Sequence, residues 1–323
     1  MTKGRGDQVK TRHRYGIGEW YGRSLTHLTA EQRKHYAKVQ KLKESSTETP
    51  ICPFRGSPEE KIPCMKRGGV CSIRLYEQQG NTGPVFVPSG QAGNLVTICP
   101  YRFEQDGTIL KWVGETLLGD PYPLVVEQVG FLERGDRDSS EKRSGSGPKF
   151  VGRIDKVLVH PTREPVHWCA LEIQAVYFSG RTMAREFDML RRISSERLPF
   201  PATNHRPDFL ISGAMTLMPR LQIWVRRLQR SGKKIAVVVD RSFFDALGKM
   251  GDARHVSNCD IAWFVLRFDD AQGRVTLTPD LVRFTTLGHA IEGLTAADTV
   301  TLEAFEGRIR HWLTEKVSAS AVK

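Results

Sequence analysis

The sequence predicts an α/β protein that carries a four-cysteine region in its N-terminal half. From about residue 150 onward, short apolar runs typical of strands alternate with amphipathic helical segments. Four of the six cysteines lie within 48 residues. At 323 residues the chain has room for about two domains of ~150 residues each. We therefore predict a basic arm and helix over 1–50, a structural metal region over 51–107 and an α/β domain over 108–323.

The N-terminal segment is predicted to begin as an arm and to continue as a helix. Its basic residues up to about Ser24 indicate a flexible arm with one apolar anchor at Trp20 and Tyr21. Thr29 is a good helix cap and Glu31 falls in the first turn, so a helix is expected from there to about Lys43. The polar stretch 44–50 then separates this helix from the cysteine region.

The remaining elements follow from the apolar pattern. Residues 108–131 mix helical and strand character, and 133–149 form a polar surface loop with almost no apolar residue. Strands are predicted near 150–159, 168–178, 234–240 and 260–268, and helices near 181–193, 214–230, 242–249 and 299–317.

The charge distribution points to a polyanionic partner. The net charge of +12 is concentrated in residues 1–50 and 181–234, and the second block is dominated by arginine, whose planar fork suits phosphates and guanine edges. No apolar run approaches the ~18 residues of a membrane span, and the N-terminus lacks the apolar core of a secretory signal. We expect a cytoplasmic protein that binds nucleic acid rather than a membrane.

The cysteine cluster predicts a structural metal site formed by Cys52, Cys64, Cys71 and Cys99. The first and last cysteines sit in near-identical pentapeptides, Ile51–Arg55 and Ile98–Arg102, which suggests two equivalent ligand arms. Four thiolates in a tetrahedron would hold zinc or a single iron. Disulfides and unrelated buried thiols are the alternatives, since no closely spaced cysteine pair is present. Cys169 and Cys259 lie in apolar strand sequence and are expected in the core.

A pair of carboxylates forms the candidate catalytic site. If the turn at 161–165 is centred between Arg163 and Glu164, an antiparallel hairpin places Asp155 opposite Glu172, with Cβ atoms ~5 Å apart. Gln174 shares their face, while Leu171, Ile173 and Ala175 are expected to face the core. Converging carboxylates suit Mg²⁺, which can activate a water and stabilise a leaving oxygen. The alternative is a hairpin whose polar face simply meets water.

Together these residues resemble the NotI type of type II restriction endonuclease, in the PD-(D/E)xK nuclease superfamily. The resemblance rests on the four-cysteine framework, on the strand Leu171–Gln174, and on a helix-to-strand run from about Leu221 to Val239. It covers roughly residues 50–290.

The resemblance implies a fold with a mixed central sheet flanked by helices and assigns catalytic positions to Asp155, Glu172 and Gln174. Gln replaces the usual superfamily lysine and cannot act as a base, so a metal-activated water must attack the phosphodiester. A further family carboxylate precedes the aspartate, and Glu127 is our candidate for it, with Glu115 as the alternative. The four cysteines would hold a structural iron, although zinc is the generic expectation for such ligands.

The resemblance also implies a homodimer that acts on palindromic double-stranded DNA, and a GC-rich site is suggested by NotI. Arg181 and Arg185, just beyond the catalytic strand, are candidates for contacts with the phosphates beside the cut. The leading hypothesis is therefore a Mg²⁺-dependent, sequence-specific DNA endonuclease. A repair or structure-specific nuclease, and a non-enzymatic nucleic-acid-binding protein organised by a metal cluster, are the alternatives.

Overall fold

Two large sheets organise the described residues: an N-terminal sheet of five strands from the first 97 residues, and a central sheet of six strands between residues 124 and 285. Two further sheets have two strands each. The computed structural model describes residues 10–42, 50–56, 59–133, 150–180, 182–269, 275–296 and 301–320. The predicted surface loop 133–149 therefore lies, apart from its first residue, outside the described residues. The strands are β1 (Thr11–Trp20), β2 (Arg23–Ser24), β3 (Ile51–Gly56), β4 (Lys61–Pro63), β5 (Val70–Gln79), β6 (Val85–Phe86), β7 (Val96–Thr97), β8 (Leu124–Glu133), β9 (Phe150–Val159), β10 (Trp168–Ile173), β11 (Tyr177–Phe178), β12 (Pro207–Asp208), β13 (Ile235–Asp240), β14 (Ile261–Asp269) and β15 (Thr276–Thr285). The α-helices are α1 (Ala30–Leu42), α2 (Thr108–Leu118), α3 (Ala184–Arg192), α4 (Met218–Leu228), α5 (Arg241–Asp245), α6 (Leu287–Thr295) and α7 (Leu302–Ser320).

The central sheet has six strands in the order β15-β14-β13-β10-β9-β8. Its inner strands β10, β13 and β14 run parallel, and the outer pairings are antiparallel, so the predicted mixed sheet flanked by helices is confirmed. Every residue of β13 is buried, as expected for a parallel strand that is covered on both faces. One core lies against α4 and α6, and the other lies against α2.

The N-terminal sheet shows that the prediction of a flexible arm up to Ser24 was wrong from Thr11 onward, and residues 1–9 of that arm lie outside the described residues. Residues Thr11–Trp20 form β1, which pairs antiparallel with β5 of the cysteine region over nearly its whole length. The end of this strand, from Gly16 to Trp20, is buried. The segment reads as a polar arm because its first half is basic, but these cations have partners far along the chain: the guanidinium groups of Arg12 and Arg14 lie over the ring of Phe200.

The two sheets meet beside the carboxyl ends of β10 and β13. Asp240, the last residue of β13, caps α5 by accepting a hydrogen bond from the Phe243 amide (2.8 Å). Its second carboxylate oxygen accepts from the amide of Thr97 in β7 (2.6 Å). The amide of Val176, beyond the end of β10, donates to the carbonyl of the same Thr97 (2.8 Å). These bonds fix the segment that follows β10 against the N-terminal sheet.

The helical boundaries differ from the predicted ones mainly near α4. The long helix expected over 214–230 is a π-helix from Ile211 to Leu217, then α4, and then a 3₁₀ turn. The last helix, α7, carries an exposed apolar stripe formed by Leu302, Phe305, Ile309, Trp312 and Leu313. Of the helices in the described part of the chain, none is long and apolar enough to span a membrane.

Candidate active site

The hairpin of β9 and β10 has the register that the sequence predicts. The amide of His160 donates to the carbonyl of His167 (2.8 Å) and closes the turn. Leu171 pairs with Lys156 as the last ladder pair, so Glu172 and Asp155 are the next residues in line on the two strands. The two carboxylates therefore converge on one face of the sheet, and the charge of Asp155 acts on Glu172.

The burial of this face differs from the prediction. Glu172 is fully buried and Gln174 is 5% exposed, whereas the side chain of Asp155 is 49% exposed. On the opposite face Leu171 is buried as predicted, but Ile173 and Ala175 are only partly buried. Glu172 lies deep because β10 is an inner strand that pairs with β13 on its other side, where Val237 is its neighbour. The site is therefore half closed, with Glu172 at its floor and Asp155 at its mouth.

Burial changes the acid–base character of Glu172. Removal of the carboxylate from water raises the pKa of Glu172 to about 7, and the nearby charge of Asp155 raises it as well. The guanidinium of Arg220 acts in the opposite direction and lowers this pKa. Near neutral pH the side chain is therefore poised between its protonated and ionised forms.

Arg220 is a site residue to which no sequence motif points. Its Nη1 donates a hydrogen bond to Oε1 of Glu172 and lies 3.9 Å from Oδ2 of Asp155. The arginine side chain is 45% exposed, so it covers the buried glutamate from the solvent side. A single positive group thus stands between the two carboxylates.

The π-helix before α4 sets the position of Arg220. Pro219 has no backbone N–H, so it cannot complete an ordinary α-helical ladder, and the amide of Met218 instead reaches back five residues to the carbonyl of Gly213. Ser212 in this turn accepts a hydrogen bond from the amide of Tyr177 (2.8 Å), which lies a few residues beyond β10. The helix that carries Arg220 is therefore tied directly to the segment that follows Glu172.

Gln174 lies just beyond the last residue of β10. Its backbone amide continues the sheet by donating to the carbonyl of Val238 (3.0 Å), and its side-chain nitrogen donates to the carbonyl of Ala175 (2.6 Å). The side-chain oxygen is then the atom that can orient a water or receive a hydrogen bond at the site.

Strand alternation separates Glu127 from the pair of Asp155 and Glu172, although Glu127 and Asp155 line one cavity. Glu127 pairs with Lys156 across β8 and β9, so it lies on the opposite face from Asp155, and it is held there by the Lys156 ammonium. This hydrogen bond lowers the pKa of Glu127. Glu115 is exposed on α2, which packs on that same opposite face. The residue that β8 does present to Asp155 is Gln128, whose Nε2 lies 3.5 Å from Oδ1 of Asp155.

The structure describes only one of the two arginines that were predicted to contact phosphates. Arg185 is exposed on the first turn of α3. Arg181 lies outside the described residues, so its predicted phosphate contact stays a prediction.

Oε2 of Glu172 is the atom of this site that points most directly to a cation. It is buried and, among the described residues, has no hydrogen-bond partner. A buried carboxylate oxygen without a partner is costly, and it is the kind of atom that a hard divalent cation binds. The donor set of Asp155 and Glu172 therefore fits Mg²⁺ in chemistry, although the described residues contain no group of three His, Cys, Asp or Glu side chains that could hold a metal ion.

The two cysteine arms have matching surroundings. The guanidinium of Arg55, in the first arm, lies 4.3 Å from the ring centroid of Tyr101 in the second. Reciprocally, the guanidinium of Arg102 in the second arm lies 4.4 Å from the ring centroid of Phe54 in the first. Each arm thus places its arginine over the aromatic residue of the other, which agrees with the equivalence that the repeated pentapeptide suggests.

The four clustered cysteines are buried, and none is in a disulfide. Burial raises the pKa of the Cys99 thiol, and the charges of Cys64 and Cys52 raise it further. In the described part of the chain, however, the thiols are not arranged as a group that could hold a metal ion. Burial also raises the pKa of Cys71, as do the nearby Glu19 and Cys99. Cys169 and Cys259 are buried in the core, as predicted.

Comparison with known proteins supplies one match. Residues 37–277 match the model of a protein family described as restriction endonuclease NotI. This range contains the four clustered cysteines, both carboxylates, Gln174 and Arg220. A search of curated proteins finds no match.

Proposed function

From the premise that this chain belongs to the NotI restriction endonuclease family, we propose that it makes Mg²⁺-dependent, sequence-specific double-strand cuts in DNA. Membership implies a type II, site-specific deoxyribonuclease that binds DNA. The dependence on Mg²⁺, the PD-(D/E)xK assignment and the roles of individual residues belong to our proposal.

The observation that carries the proposal is the buried, unsatisfied Oε2 of Glu172 beside a second carboxylate. Burying a carboxylate is unfavourable unless positive charge compensates it. Glu172 is fully buried, and Arg220 contacts only one of its two oxygens. A divalent cation held by Asp155 and Glu172 would satisfy the second oxygen. We therefore assign these two residues as the magnesium ligands.

The chain's own residues divide the remaining tasks of hydrolysis. Asp155, at the exposed mouth, and Glu172, at the floor, define the direction from which the phosphodiester enters. Gln174 has no basic atom, so its amide oxygen would orient the attacking water and would not remove its proton. The ion, when bound, supplies Lewis-acid chemistry that lowers the pKa of water and neutralises charge on the leaving oxygen.

A structural metal in the cysteine region is a second part of the proposal. Four buried thiols, two of them on equivalent arms, in a region of short strands and turns, form a donor set that suits iron or zinc. This part of the proposal rests on the donor set and on the family match, because the described residues do not bring the thiols into a metal-binding arrangement. The ion would join the hairpin of β3 and β4 to the start of β5 and to the turn after β7.

Double-strand cleavage requires two catalytic sites, and one chain supplies one carboxylate pair. We propose a homodimer whose two-fold symmetry matches a palindromic DNA site. The expectation that this site is GC-rich rests only on the resemblance to NotI. Arg185, which is exposed at the start of α3, is proposed to contact a phosphate. A DNA-cleaving enzyme of this kind would act in the cytoplasm.

The experiment is digestion of long DNA of known sequence and varied GC content in the presence of Mg²⁺. Glu172→Gln keeps the shape of the side chain and removes its charge, and Glu115→Gln makes the same change at an exposed position. We expect discrete fragments with the wild type and with Glu115→Gln, and intact DNA with Glu172→Gln or when Ca²⁺ replaces Mg²⁺.

Each alternative function has its own result in this experiment. Nicking or a smear that depends on Glu172 would indicate a repair or structure-specific nuclease. Tight DNA binding without cleavage on any substrate would indicate a non-enzymatic nucleic-acid-binding protein. Equal cleavage by Glu172→Gln and the wild type would overturn the assignment of the catalytic site.

A further inference from the structure

Arg220 occupies the space between the carboxylates that a divalent cation would share. Its Nη1 is bonded to Oε1 of Glu172 and lies 3.9 Å from Oδ2 of Asp155. The guanidinium therefore supplies the positive charge that the buried Glu172 needs when no metal is bound. It leaves Oε2 of the same glutamate unsatisfied, so the compensation is incomplete.

Charge balance opposes the present position of Arg220 when a divalent cation binds. The two carboxylates carry two negative charges, and the guanidinium already neutralises one of them. A divalent cation between the same oxygens would bring the total positive charge to three, within a few ångströms of the guanidinium, where like charges repel strongly. This repulsion weakens the bond of Arg220 to Oε1 of Glu172.

The geometry allows this release. The backbone of Arg220 is fixed in the first turn of α4 by the π-helix that precedes it, but the side chain is 45% exposed and lies on the solvent side of Glu172. Rotation about its side-chain bonds would carry the guanidinium outward, toward the exposed side on which Asp155 lies. If DNA binds there, as the proposed function requires, the negative group that it offers is a phosphate.

We propose that Arg220 holds the two carboxylates together in the metal-free protein and transfers to a phosphate of bound DNA when the divalent cation enters. This exchange rests on the proposed function, because it presumes that the carboxylates bind a metal and that the mouth receives DNA. It makes Arg220 a positioning residue that couples metal binding to DNA binding. The forked guanidinium suits both partners, carboxylate and phosphate.

The test separates metal binding from DNA binding, with Ca²⁺ as an ion that should occupy the site without cleavage. Arg220→Met removes the charge and keeps much of the apolar stem, and Arg227→Met is the matched control at an exposed position of the same helix. Calorimetric titration with Ca²⁺ in the absence of DNA should give at least tenfold tighter binding for Arg220→Met than for the wild type. The titration is run at alkaline pH, which keeps Glu172 ionised.

Binding of a labelled mixed-sequence duplex is then measured in EDTA and in Ca²⁺. In EDTA, Arg220→Met and the wild type should bind alike, because the arginine is engaged by Glu172. In Ca²⁺ the variant should bind roughly tenfold more weakly, and the slope of log affinity against log salt should fall by about 0.9, the value for one phosphate contact. Arg227→Met should show no difference between the two conditions.

Two outcomes would overturn the exchange. Unchanged or weaker Ca²⁺ binding by Arg220→Met would show that the arginine does not compete with the ion. Equal losses of DNA affinity in EDTA and in Ca²⁺ would show a phosphate contact that is independent of metal. Arg220→Lys retains a cation beside Glu172 and should shift each quantity in the same direction by a smaller factor, so the test stands even if Arg220→Met does not fold.

Failure of the exchange is distinguishable from failure of the proposed function. If the wild type and Glu172→Gln bind Ca²⁺ equally, the carboxylates are not a metal site, and both proposals fall. If Ca²⁺ binding requires Glu172 but does not respond to Arg220→Met, the nuclease site stands and only the exchange is refuted.

Discussion

Replacement of Arg102 by methionine should strongly destabilise the protein, although the hydrogen bonds of Arg102 are made outside the candidate active site. Arg102 and Glu19 are both fully buried. The Nε of Arg102 lies 3.0 Å from each carboxylate oxygen of Glu19, Nη1 donates to Oε1 of Gln105 (2.6 Å), and Nη2 donates to the carbonyl of Val275 (3.0 Å). The arginine thus joins β1 to the second cysteine arm and to the segment before β15.

The expected loss of stability in Arg102→Met follows from removing one member of a buried ion pair, which leaves the charge of Glu19 in the core. Loss of one partner from such a pair costs about 3–5 kcal/mol, since the remaining charge stays out of water. For a chain of this size we expect the midpoint of thermal unfolding to fall by about 10 °C. The double variant Glu19→Leu with Arg102→Met should be more stable than the sum of the two single changes, because neither charge is then left alone in the core.

Arg55, the equivalent residue of the first cysteine arm, is the matched control. Its side chain is 27% exposed, lies 3.6 Å from Oε2 of Glu104, and stacks over Tyr101. Partly exposed pairs of this kind contribute about 1 kcal/mol or less, so Arg55→Met should lower the midpoint by only a few degrees. Equal midpoints for Arg55→Met and Arg102→Met, or strictly additive effects in the double variant, would refute the reasoning.

Three further predictions concern pH and metal content. The pKa of Glu172 is raised to about 7 by burial, and only the ionised form can bind a cation, so single-turnover cleavage should rise with pH through about 7; a flat profile between about pH 6 and 8 would contradict this. Burial raises the pKa of Asp240 to about 6, so the folded state holds more protons than the unfolded state between about pH 4 and 6, and the contribution of Asp240 to stability falls as pH rises through that window. In urea unfolding, the difference in unfolding free energy between the wild type and Asp240→Asn should therefore narrow from about pH 4 to about pH 7. A difference that widens over this range would contradict a raised pKa of Asp240. Elemental analysis should find one iron or zinc per chain, lost in Cys99→Ser but kept in Cys259→Ser; a metal-free wild type would reject the structural site.

The order of elements in the C-terminal half was predictable because its signals are local. Strands that are buried on both faces give continuous apolar runs, such as Ile235–Val239, and the structure confirms that strand as β13 and its neighbour as β14. The register of the β9–β10 hairpin was also predictable, since a short turn fixes which residues oppose each other. The convergence of Asp155 and Glu172 therefore follows from residues that are close along the chain.

The β1 strand was missed because its partners are distant in sequence. A strand with several basic residues reads as a solvated arm when it is considered alone. Its pairing partner β5 begins fifty residues after β1 ends, and the buried charge of Glu19 is compensated by Arg102, 83 residues away. Neither relation leaves a periodic signal in the segment itself.

The choice among candidate carboxylates depended on strand alternation across a second hairpin. Glu127 and Glu115 both precede Asp155 in sequence at plausible distances, but the β8–β9 register places Glu127 opposite Lys156 and therefore on the other face. The loop that connects β8 to β9 lies largely outside the described residues. Sequence spacing therefore could not determine the register of these two strands.

The sequence by itself determined the chemistry that the protein can use: the repeated cysteine arms, the apolar strands of the sheet and the convergence of Asp155 with Glu172. These features depend on residues that are close along the chain or on patterns within a single strand. The tertiary structure alone decided that Glu172 is fully buried, that one of its oxygens has no partner among the described residues, and that Arg220, 48 residues away, stands between the two carboxylates. The reason is physical. Burial and charge compensation depend on what packs across a site, and the helix that packs there is positioned by the preceding π-helix and by Pro219 rather than by any residue of β10.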